Sequence, residues 1–408
     1  MAWSLQFIIL FTLCFFTVHL VTEKPILPNR LVLPVTKDPS TFQYVTELYM
    51  GTTLSLVKLV VDLGGPFLWV DCASTFQESS LNTIKSCSIQ CSMANLSSRN
   101  KAAEQRTMAC RVKPVNSITR MAVTGDLAEA RVAMMFADGS ISSISNFFFS
   151  CSPELLTEGL AYGAKGMLGL GNTRISLPSQ ISNTFGYHRK FFMCLSPLSG
   201  AIFLSDIPNV LHIGSEVPKS MMYTPFISKQ DGYYINVKSI KIAGKKLSIN
   251  STLLSANEKG HGGTKVSTIL PYTTMERTIY DSFVRGYAKV AISMNMTRVA
   301  AVSPFGACFS SEGLEDKRFG SGVPTIDLVL QSEMVKWRIY GRNSIIKVSD
   351  KVMCLGFLDG GLNPEASIVI GGYQLEDNLL EFNLGTAMLG FSSLTRCSDL
   401  LASHNVLI

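Results

Sequence analysis

The sequence has few charged side chains and few histidines. Of its 408 residues, 16% are Asp, Glu, Lys or Arg and five are His, whereas 31 are Gly and 16 are Pro. Such a composition is typical of proteins built from strands and turns rather than from helices. The formal net charge of +6 is too small and too evenly spread to predict nucleic-acid binding, although it would favour adsorption on acidic cell-wall polysaccharide.

Long apolar runs are equally scarce. The run near the N-terminus, Phe7 to Phe16, is shorter than the ~20 residues that a bilayer span requires, and the first charged side chain is Glu23. Residues 1–21 are therefore predicted to be a secretory signal peptide, with a membrane anchor as the alternative. No later run is long and apolar enough to cross a bilayer, so we expect a secreted, extracellular protein.

The cysteine count indicates disulfides. Cys14 lies in the predicted signal peptide, and the nine remaining cysteines would mostly pair in an oxidising compartment, leaving one over. The spacing of Cys87 and Cys91 is also compatible with a metal, but no His lies nearby, so neither a metal nor a cofactor is expected. Three Asn-x-Ser/Thr sequons are candidate glycosylation sites: Asn95, Asn250 and Asn295.

One carboxylate is placed where a buried strand would normally exclude it. Asp62 lies in the apolar stretch from Leu59 to Cys72, immediately before a turn that contains Gly64 and Gly65. A carboxylate buried without partners costs several kcal/mol, so the turn must supply hydrogen-bond donors. A glycine backbone can close its N–H groups around an oxygen, which is the setting that a catalytic carboxylate needs.

The segment Asp62-Leu63-Gly64 resembles the Asp-Thr/Ser-Gly turn that pepsin-type aspartic proteases carry in each of two homologous lobes, with Leu63 in the place of the hydroxyl residue. The resemblance implies a mainly β, bilobal pepsin-like fold, in which two β-barrel-like lobes flank a central cleft. The length of the chain also favours two lobes. We expect an N-terminal lobe over 22–206, a connecting stretch over 207–232 and a C-terminal lobe over 233–408.

The second turn of the plant enzymes resembles Gly-Thr-x-x-Asp-Ser-Gly-Thr-Thr, with a Tyr 13 residues after the Asp. In this sequence, Gly263 to Val266 opens that frame and Tyr280 closes it without a gap. The Asp position falls on Ser267, and the Gly position falls on Ile269. The second acidic residue of the family pattern is therefore missing.

Two apolar segments that end in glycine follow these turns at similar intervals. Gly169 lies 107 residues after Asp62, and Gly371 lies 104 residues after Ser267. The matching intervals indicate a duplicated lobe. In the pepsin-like fold such a segment crosses behind the catalytic turn, so the resemblance places Gly169 behind Asp62.

The flap of pepsin-like enzymes carries a Tyr that helps to close the site over substrate. Asn116 to Val132 is expected to form this flap, but no Tyr occurs between Cys72 and Cys151. Substrate clamping and the exclusion of water would both be weakened.

The missing acid argues against catalysis, because an aspartic protease needs two carboxylates that share one proton. The hydroxyl of Ser267 has a pKa far above working pH and cannot replace one of them. Rescue by Asp71 or Glu276 is an alternative, although neither lies at the missing position in the sequence. No Gly-x-Ser-x-Gly elbow surrounds Ser267, so a serine-type triad is not predicted either. We expect no functional catalytic residue.

Four stretches resemble those of plant extracellular dermal glycoproteins, basic 7S globulins and xylanase inhibitors: Val60 to Gly65, Ser267 to Thr273, Ser303 to Phe309, and Ile370 to Asn378. The resemblance extends from Leu31 to Cys397. It implies secretion to the apoplast and, as partner, a secreted glycoside hydrolase of microbial origin that the protein inhibits in plant defence.

The same resemblance implies three disulfides: Cys308 with Cys354, Cys194 with Cys397, and Cys72 with Cys151. Members of the group use loops of the C-terminal lobe to enter the hydrolase cleft. The segment Ser392 to Arg396 is short and has no His, so a xylanase is the less expected target. Two other functions stay open, namely a residual aspartic-type endopeptidase and a seed-globulin-like storage or peptide-binding protein.

Overall fold

The computed structural model describes residues 31–76, 81–94, 108–136, 139–204, 221–227, 232–256, 262–312 and 322–392, together with Cys397. Four predicted features lie wholly or largely outside these residues: the signal peptide, the sequon at Asn95, the segment 393–396 and most of the connecting stretch.

Strands make up most of the N-terminal half. They are β1 (Val32–Lys37), β2 (Tyr44–Met50), β3 (Ser55–Asp62), β4 (Trp69–Asp71), β5 (Asn82–Thr83), β6 (Arg111–Val112), β7 (Val115–Asn116), β8 (Met121–Ala122), β9 (Gly125–Met135), β10 (Ile141–Ser152), β11 (Gly166–Gly169), β12 (Lys190–Cys194) and β13 (Gly200–Phe203).

The second half is also rich in strands. They are β14 (Met222–Ile227), β15 (Tyr233–Ile235), β16 (Ser239–Ile242), β17 (Lys245–Lys246), β18 (Thr264–Val266), β19 (Thr273–Met275), β20 (Arg298–Val299), β21 (Cys308–Ser310), β22 (Ile326–Ser332), β23 (Val335–Ile339), β24 (Ile345–Lys347), β25 (Val352–Leu355), β26 (Phe357–Asp359), β27 (Ile368–Ile370), β28 (Leu379–Asn383) and β29 (Met388–Ser392).

The helices are short, with one exception of 17 residues. They are α1 (Cys72–Thr75), α2 (Ile89–Ala94), α3 (Leu177–Phe185), α4 (Ser251–Leu254), α5 (Arg277–Ser293), α6 (Gly341–Ser344) and α7 (Gly372–Leu375), and a 3-10 helix spans Glu154–Thr157.

A repeated four-strand unit positions the two candidate turns. In the first half, β11 runs parallel to β3 and antiparallel to β4, and β4 runs parallel to β10. In the second half, β27 runs parallel to β18 and antiparallel to β19, and β19 runs parallel to β26. The same arrangement surrounds both turns, and the mainly β, bilobal pepsin-like fold expected from the sequence is confirmed.

A continuous antiparallel sheet joins the two halves. Its strands follow the order β14, β29, β28, β12, β13 and β1, so three strands of the second half are followed by three of the first, and the halves meet where β28 pairs with β12. Phe191 and Phe382, one from each half, stack with ring centroids 4.8 Å apart. Strand β14 lies within the expected connecting stretch, so the described part of that stretch contributes to the sheet rather than serving only as a link.

The strand that carries the candidate carboxylate is buried on both faces. Leu59 and Val61 point into the main core, whereas Val60 packs on the other face in a cluster with Trp69 and Met167. A strand with apolar contacts on both sides is fixed in register, since a shift by one residue would exchange its two faces. The end of β3 is therefore held rigidly.

Residues 233–242 form two strands rather than one. Strand β15 pairs with β14 and β18, whereas β16 pairs with β22 in a separate sheet. The apolar alternation runs through the break because Val237, between the two strands, is also fully buried. A turn follows Ile242, with positive φ at Ala243 and Gly244.

Four disulfides connect the described residues. Three of them are the pairs that the family resemblance implies: Cys72–Cys151, Cys194–Cys397 and Cys308–Cys354. A fourth, Cys91–Cys110, was not predicted, and it links α2 to the segment before β6. The thiol of Cys87 is exposed and belongs to none of these four bonds.

A buried ion pair also ties the two halves together. The Nζ of Lys37 lies 2.7 Å from Oε1 of Glu376, and the hydroxyl of Tyr44 donates to the same oxygen at 2.7 Å. The rings of Phe42 and Tyr373 lie within 6 Å of the ammonium, so aromatic faces complete its surroundings. Burial raises the pKa of Glu376, and the charge of Lys37 opposes that shift.

Replacing Lys37 by Met should destabilise the protein by about 3 to 5 kcal/mol at neutral pH, because the carboxylate of Glu376 would be left buried without its cation. The loss should shrink as the pH is lowered and Glu376 becomes protonated. Denaturant unfolding at several pH values measures the effect. The double variant K37M/E376Q should recover much of the stability, and a double variant as unstable as K37M would contradict this account.

Candidate functional site

The two candidate turns lie at equivalent places in the repeated unit. Asp62 ends β3, and Gly169 of β11 stands opposite it in the parallel register, as the sequence predicted. Ser267 directly follows β18, whose last residue Val266 stands opposite Ile370, and the N–H of Ser267 donates to the carbonyl of Ile370 at 3.0 Å. Each turn is thus supported by the same type of strand from behind.

A single hydroxyl joins the turns. Thr268 donates through Oγ1 to the carbonyl of Val61 at 2.7 Å and accepts from the N–H of Leu63 at 3.1 Å. The reciprocal bond from the first turn is impossible because Leu63 has an apolar side chain, which is fully buried in the main core. The junction between the lobes is therefore braced from one side only.

Asp62 is the buried acid of the site, with 3% of its surface exposed. Its Oδ1 accepts from the N–H of Gly64 at 3.0 Å, and its Oδ2 accepts from the hydroxyl of Ser117 at 2.5 Å. Burial raises the pKa of Asp62, and the hydrogen bonds from Ser117, Gly64 and Gly65, with the more distant charge of Lys265, oppose that shift. The net effect is that the protonated form of Asp62 is more favoured in the protein than it would be in water.

The residue at the equivalent place in the second turn has a neutral hydroxyl side chain. Ser267 is half-buried, and its Oγ accepts from the N–H of Ile269 at 3.1 Å. Ile269 is half-buried too, in the position where the family pattern has glycine. A hydroxyl can hold a water molecule by hydrogen bonding, but it cannot share a titrating proton with Asp62 at working pH.

The two carboxylates considered as substitutes are used elsewhere. Asp71 caps α1, accepting from the hydroxyl of Ser74 at 2.5 Å. Glu276 caps α5, accepting from the N–H groups of Thr278 and Ile279 at 2.8 and 3.2 Å. Capping orients both side chains toward helix termini. Neither restores a second acid at the junction.

Two residues of the site were not predicted from the sequence. Ser117 follows β7 and reaches Asp62 from a segment 55 residues away along the chain. Lys265 lies on β18 opposite Tyr234, with its Nζ 5.6 Å from the centre of that ring. The position of Lys265 could have been found, because Thr264 and Val266 on either side are buried and alternation turns Lys265 to the opposite face.

The sequons that the structure describes face solvent. Asn250 is exposed and caps α4, and Asn295 is exposed with a φ of 65° just after α5. Both side chains are accessible to a glycosylating enzyme, while occupancy stays a prediction.

No group of three or more His, Cys, Asp or Glu within the described ranges could hold a metal ion. The described part of the chain also has no helix that is both long and apolar enough to cross a membrane.

Comparison with known families accounts for nearly all of the described chain. A family model described as "Xylanase inhibitor N-terminal" matches residues 44–206, and one described as "Xylanase inhibitor C-terminal" matches residues 232–393. A protein named "Probable aspartic proteinase GIP2" from Nicotiana benthamiana is 43% identical over 401 residues, which cover 91% of this chain and 90% of the relative.

Solved structures agree with this assignment. The structure titled "Crystal structure of edgp" superposes with a TM-score of 0.83 at 42% identity, covering 93% of this chain and 98% of that one. Basic 7S globulin from soybean superposes with a TM-score of 0.79 at 32% identity, covering 91% and 99%.

Replacing Asp62 by Asn should raise the melting temperature at pH 7. A buried acid with a raised pKa binds a proton more readily in the folded than in the unfolded state, so its contribution to stability falls as pH rises above about 4. The amide keeps an acceptor for Gly64, replaces the bond accepted from Ser117 by one that its NH2 group donates to the Ser117 hydroxyl oxygen, and removes the charge. The gain should vanish near pH 3, where the acid is protonated in both states.

Asp327 provides the matched control, because it is equally buried but accepts two hydrogen bonds from the guanidinium of Arg338, at 2.6 and 2.9 Å. Asp327→Asn should lower the melting temperature at pH 7. If Asp62→Asn were as destabilising as Asp327→Asn, the carboxylate of Asp62 would be a net stabiliser and the expected sign would be wrong.

Proposed function

Because the chain belongs to the family of xylanase-inhibitor proteins, which have the pepsin-like fold of the aspartic proteases, we propose that it is a catalytically inactive homologue that is secreted and inhibits cell-wall glycoside hydrolases in plant defence. The proposed targets are enzymes of the xylanase or xyloglucan endoglucanase type. Residues 22–206 and 233–408 form the two lobes of this inhibitor, joined by 207–232 after removal of a signal peptide.

The observation that carries the proposal is that Asp62 ends β3 in the first turn, while the equivalent turn, among the described residues, has no acid. In the protease mechanism, one carboxylate takes a proton from water while the other donates one to the scissile carbonyl. The family pattern in the sequence assigns the position of the second carboxylate to Ser267, and Asp71 and Glu276 are engaged as helix caps. With Asp62 alone, no pair of coupled pKa values is available to run the reaction.

The family supports a protein partner. The matching models are described as xylanase inhibitors, and a fold without its chemistry can still present loops to another protein. The formal net charge of +6 would favour approach to acidic surfaces, including the acidic polysaccharides of the cell wall. A glycoside hydrolase cleft also carries two carboxyl groups, which attract a basic inhibitor.

Two relatives support second candidates. The Nicotiana benthamiana relative is named a probable aspartic proteinase, which favours residual endopeptidase activity. The soybean neighbour is a basic 7S globulin, which favours a storage or peptide-binding role. Neither name changes the chemistry of the junction, where one carboxylate is present.

The purified secreted protein should inhibit at least one microbial hydrolase in assays on xylan and xyloglucan, and should be retained by that enzyme in a pull-down from culture filtrate. It should release no peptides from casein between pH 3 and 7. Asp62→Asn serves as the control, since inhibition should survive it unchanged. Casein cleavage that Asp62→Asn abolishes would establish a peptidase and refute the proposal, as would the absence of any inhibited hydrolase.

Secretion also predicts modification. Protein recovered from the extracellular fluid of a plant host should begin near residue 22 and carry N-glycans at Asn250 and Asn295, which are exposed. Peptide mapping by mass spectrometry reads both features, and Asn295→Gln should remove one glycan while leaving that at Asn250. Unmodified asparagines at both positions, in protein shown to be extracellular, would disprove the glycan assignment.

A further inference from the structure

The hairpin β7–β8 occupies the place expected for the flap, and its tip residues contact the site rather than leaving it open. We propose that this hairpin is locked shut across the cleft, that Asp62 is the acceptor that holds it, and that the protein partner is bound outside the cleft. The location of the partner rests on the proposed function. The closed hairpin does not, because it follows from contacts within the chain.

The first contact is polar. The hydroxyl of Ser117, in the hairpin turn, donates to Oδ2 of Asp62 at 2.5 Å. Room for it exists because residue 65 is glycine, and a Cβ built there would lie 2.9 Å from the same oxygen. A side chain at 65 would crowd the position that Ser117 uses. Asp62 therefore has a partner in the flap, and hydrogen bonds to buried charged or partly charged groups are among the stronger ones.

The second contact is apolar and bridges the lobes. Ile118 and Met121 of the hairpin pack against the cluster around Val60 and Trp69 on the N-terminal side. Ile269, from the turn of the C-terminal lobe, packs against the same cluster. A glycine at 269 would leave this space empty, whereas isoleucine fills the cleft beside the hairpin and buries apolar area that favours closure.

The base of the hairpin is also fixed. Nε1 of Trp69 donates to the carbonyl of Val115 at 3.0 Å. The amide of Asn116, fully buried, donates to the carbonyls of Leu156 and Glu158 at 2.8 Å each, and its oxygen accepts from the N–H of Ile118 at 2.8 Å. A segment with so many satisfied buried groups opens only at a substantial cost in free energy.

These contacts bear on function because a peptidase flap must open to admit a peptide and then close over it. A hairpin held to Asp62 and packed on the same apolar cluster as Ile269 occupies the volume that the peptide backbone would need. A protein partner is therefore bound outside the cleft.

Hydrogen exchange and fluorescence test the locked hairpin directly. Wild-type amides of residues 115–122 should exchange slowly, and Ser117→Ala with Ile269→Gly should accelerate them at least tenfold, by loss of both the polar and the apolar contact. Trp69 reports the same opening: in a Trp337→Phe background it is the remaining tryptophan of the mature chain, since Trp3 lies in the predicted signal peptide. Its emission should shift to longer wavelength in the double variant.

Controls separate the hairpin from general destabilisation. Ser143→Ala removes a serine hydroxyl that accepts a solvent-exposed hydrogen bond from Arg131, and it should change neither measurement. Ser117→Ala alone should give a smaller acceleration and keeps the test valid if Ile269→Gly does not fold. Fast exchange of 115–122 in the wild type, or no change in the variants, would overturn the locked hairpin.

The partner's location is tested with the same variants. Inhibition of the target hydrolase by Ser117→Ala should match that of the wild type within twofold, whereas a partner seated in the cleft would lose or gain at least tenfold when the hairpin opens. If the wild type inhibits no hydrolase, the proposed function fails while the exchange result still decides the hairpin. If inhibition tracks opening, the function stands and docking outside the cleft is wrong.

Discussion

Burial of one carboxylate at the junction of two lobes is the constraint on which the rest of the structure depends. A carboxyl group that is 97% removed from solvent must be either protonated or surrounded by hydrogen-bond donors. Asp62 meets each of these two conditions in part. The turn gives it the N–H of Gly64, the flap gives it the hydroxyl of Ser117, and burial shifts its pKa toward the neutral form. None of these partners is a second carboxyl group, so Asp62 cannot share its proton with one.

The scaffold has kept its two-fold symmetry while the side chains at its centre have lost it. The same parallel and antiparallel pairings surround both turns, yet the hydroxyl that bridges them comes from Thr268 of the second turn, and Leu63 of the first turn is apolar. The symmetry of the backbone comes from strand register, which tolerates any side chain that fills the space. Catalysis depends on particular oxygen atoms, so it is lost more easily than the symmetry of the backbone. The six-stranded sheet and the Lys37–Glu376 pair hold the lobes together whether or not the junction is active.

Local patterns in the sequence predicted what depends on spacing, and missed what depends on distant contacts. The duplicated lobe follows from the matching motif intervals, the family resemblance adds the placement of Gly169 behind Asp62, and the structure contains both. The partners Ser117 and Asp62 lie 55 residues apart, and Lys37 and Glu376 lie 339 apart, with nothing in either segment to indicate the other. The disulfide Cys91–Cys110 was missed for a similar reason, because nine cysteines allow many pairings and spacing does not choose among them.

A buried acid without a second acid beside it destabilises the fold, but its replacement would also affect the flap. Removing the carboxyl group would leave the hydroxyl of Ser117 without its acceptor, and the hairpin would lose the bond that spans the gap opened by Gly65. The cost of keeping the acid also depends on pH. Since its pKa is raised, Asp62 is protonated further up the pH scale than a free aspartate, and in an acidic compartment a neutral Asp62 can still bond Ser117 without the penalty of a buried charge. A residue inherited from a proton-transfer site is thereby suited to a structural role at low pH, where a protein secreted into an acidic medium would have to remain closed.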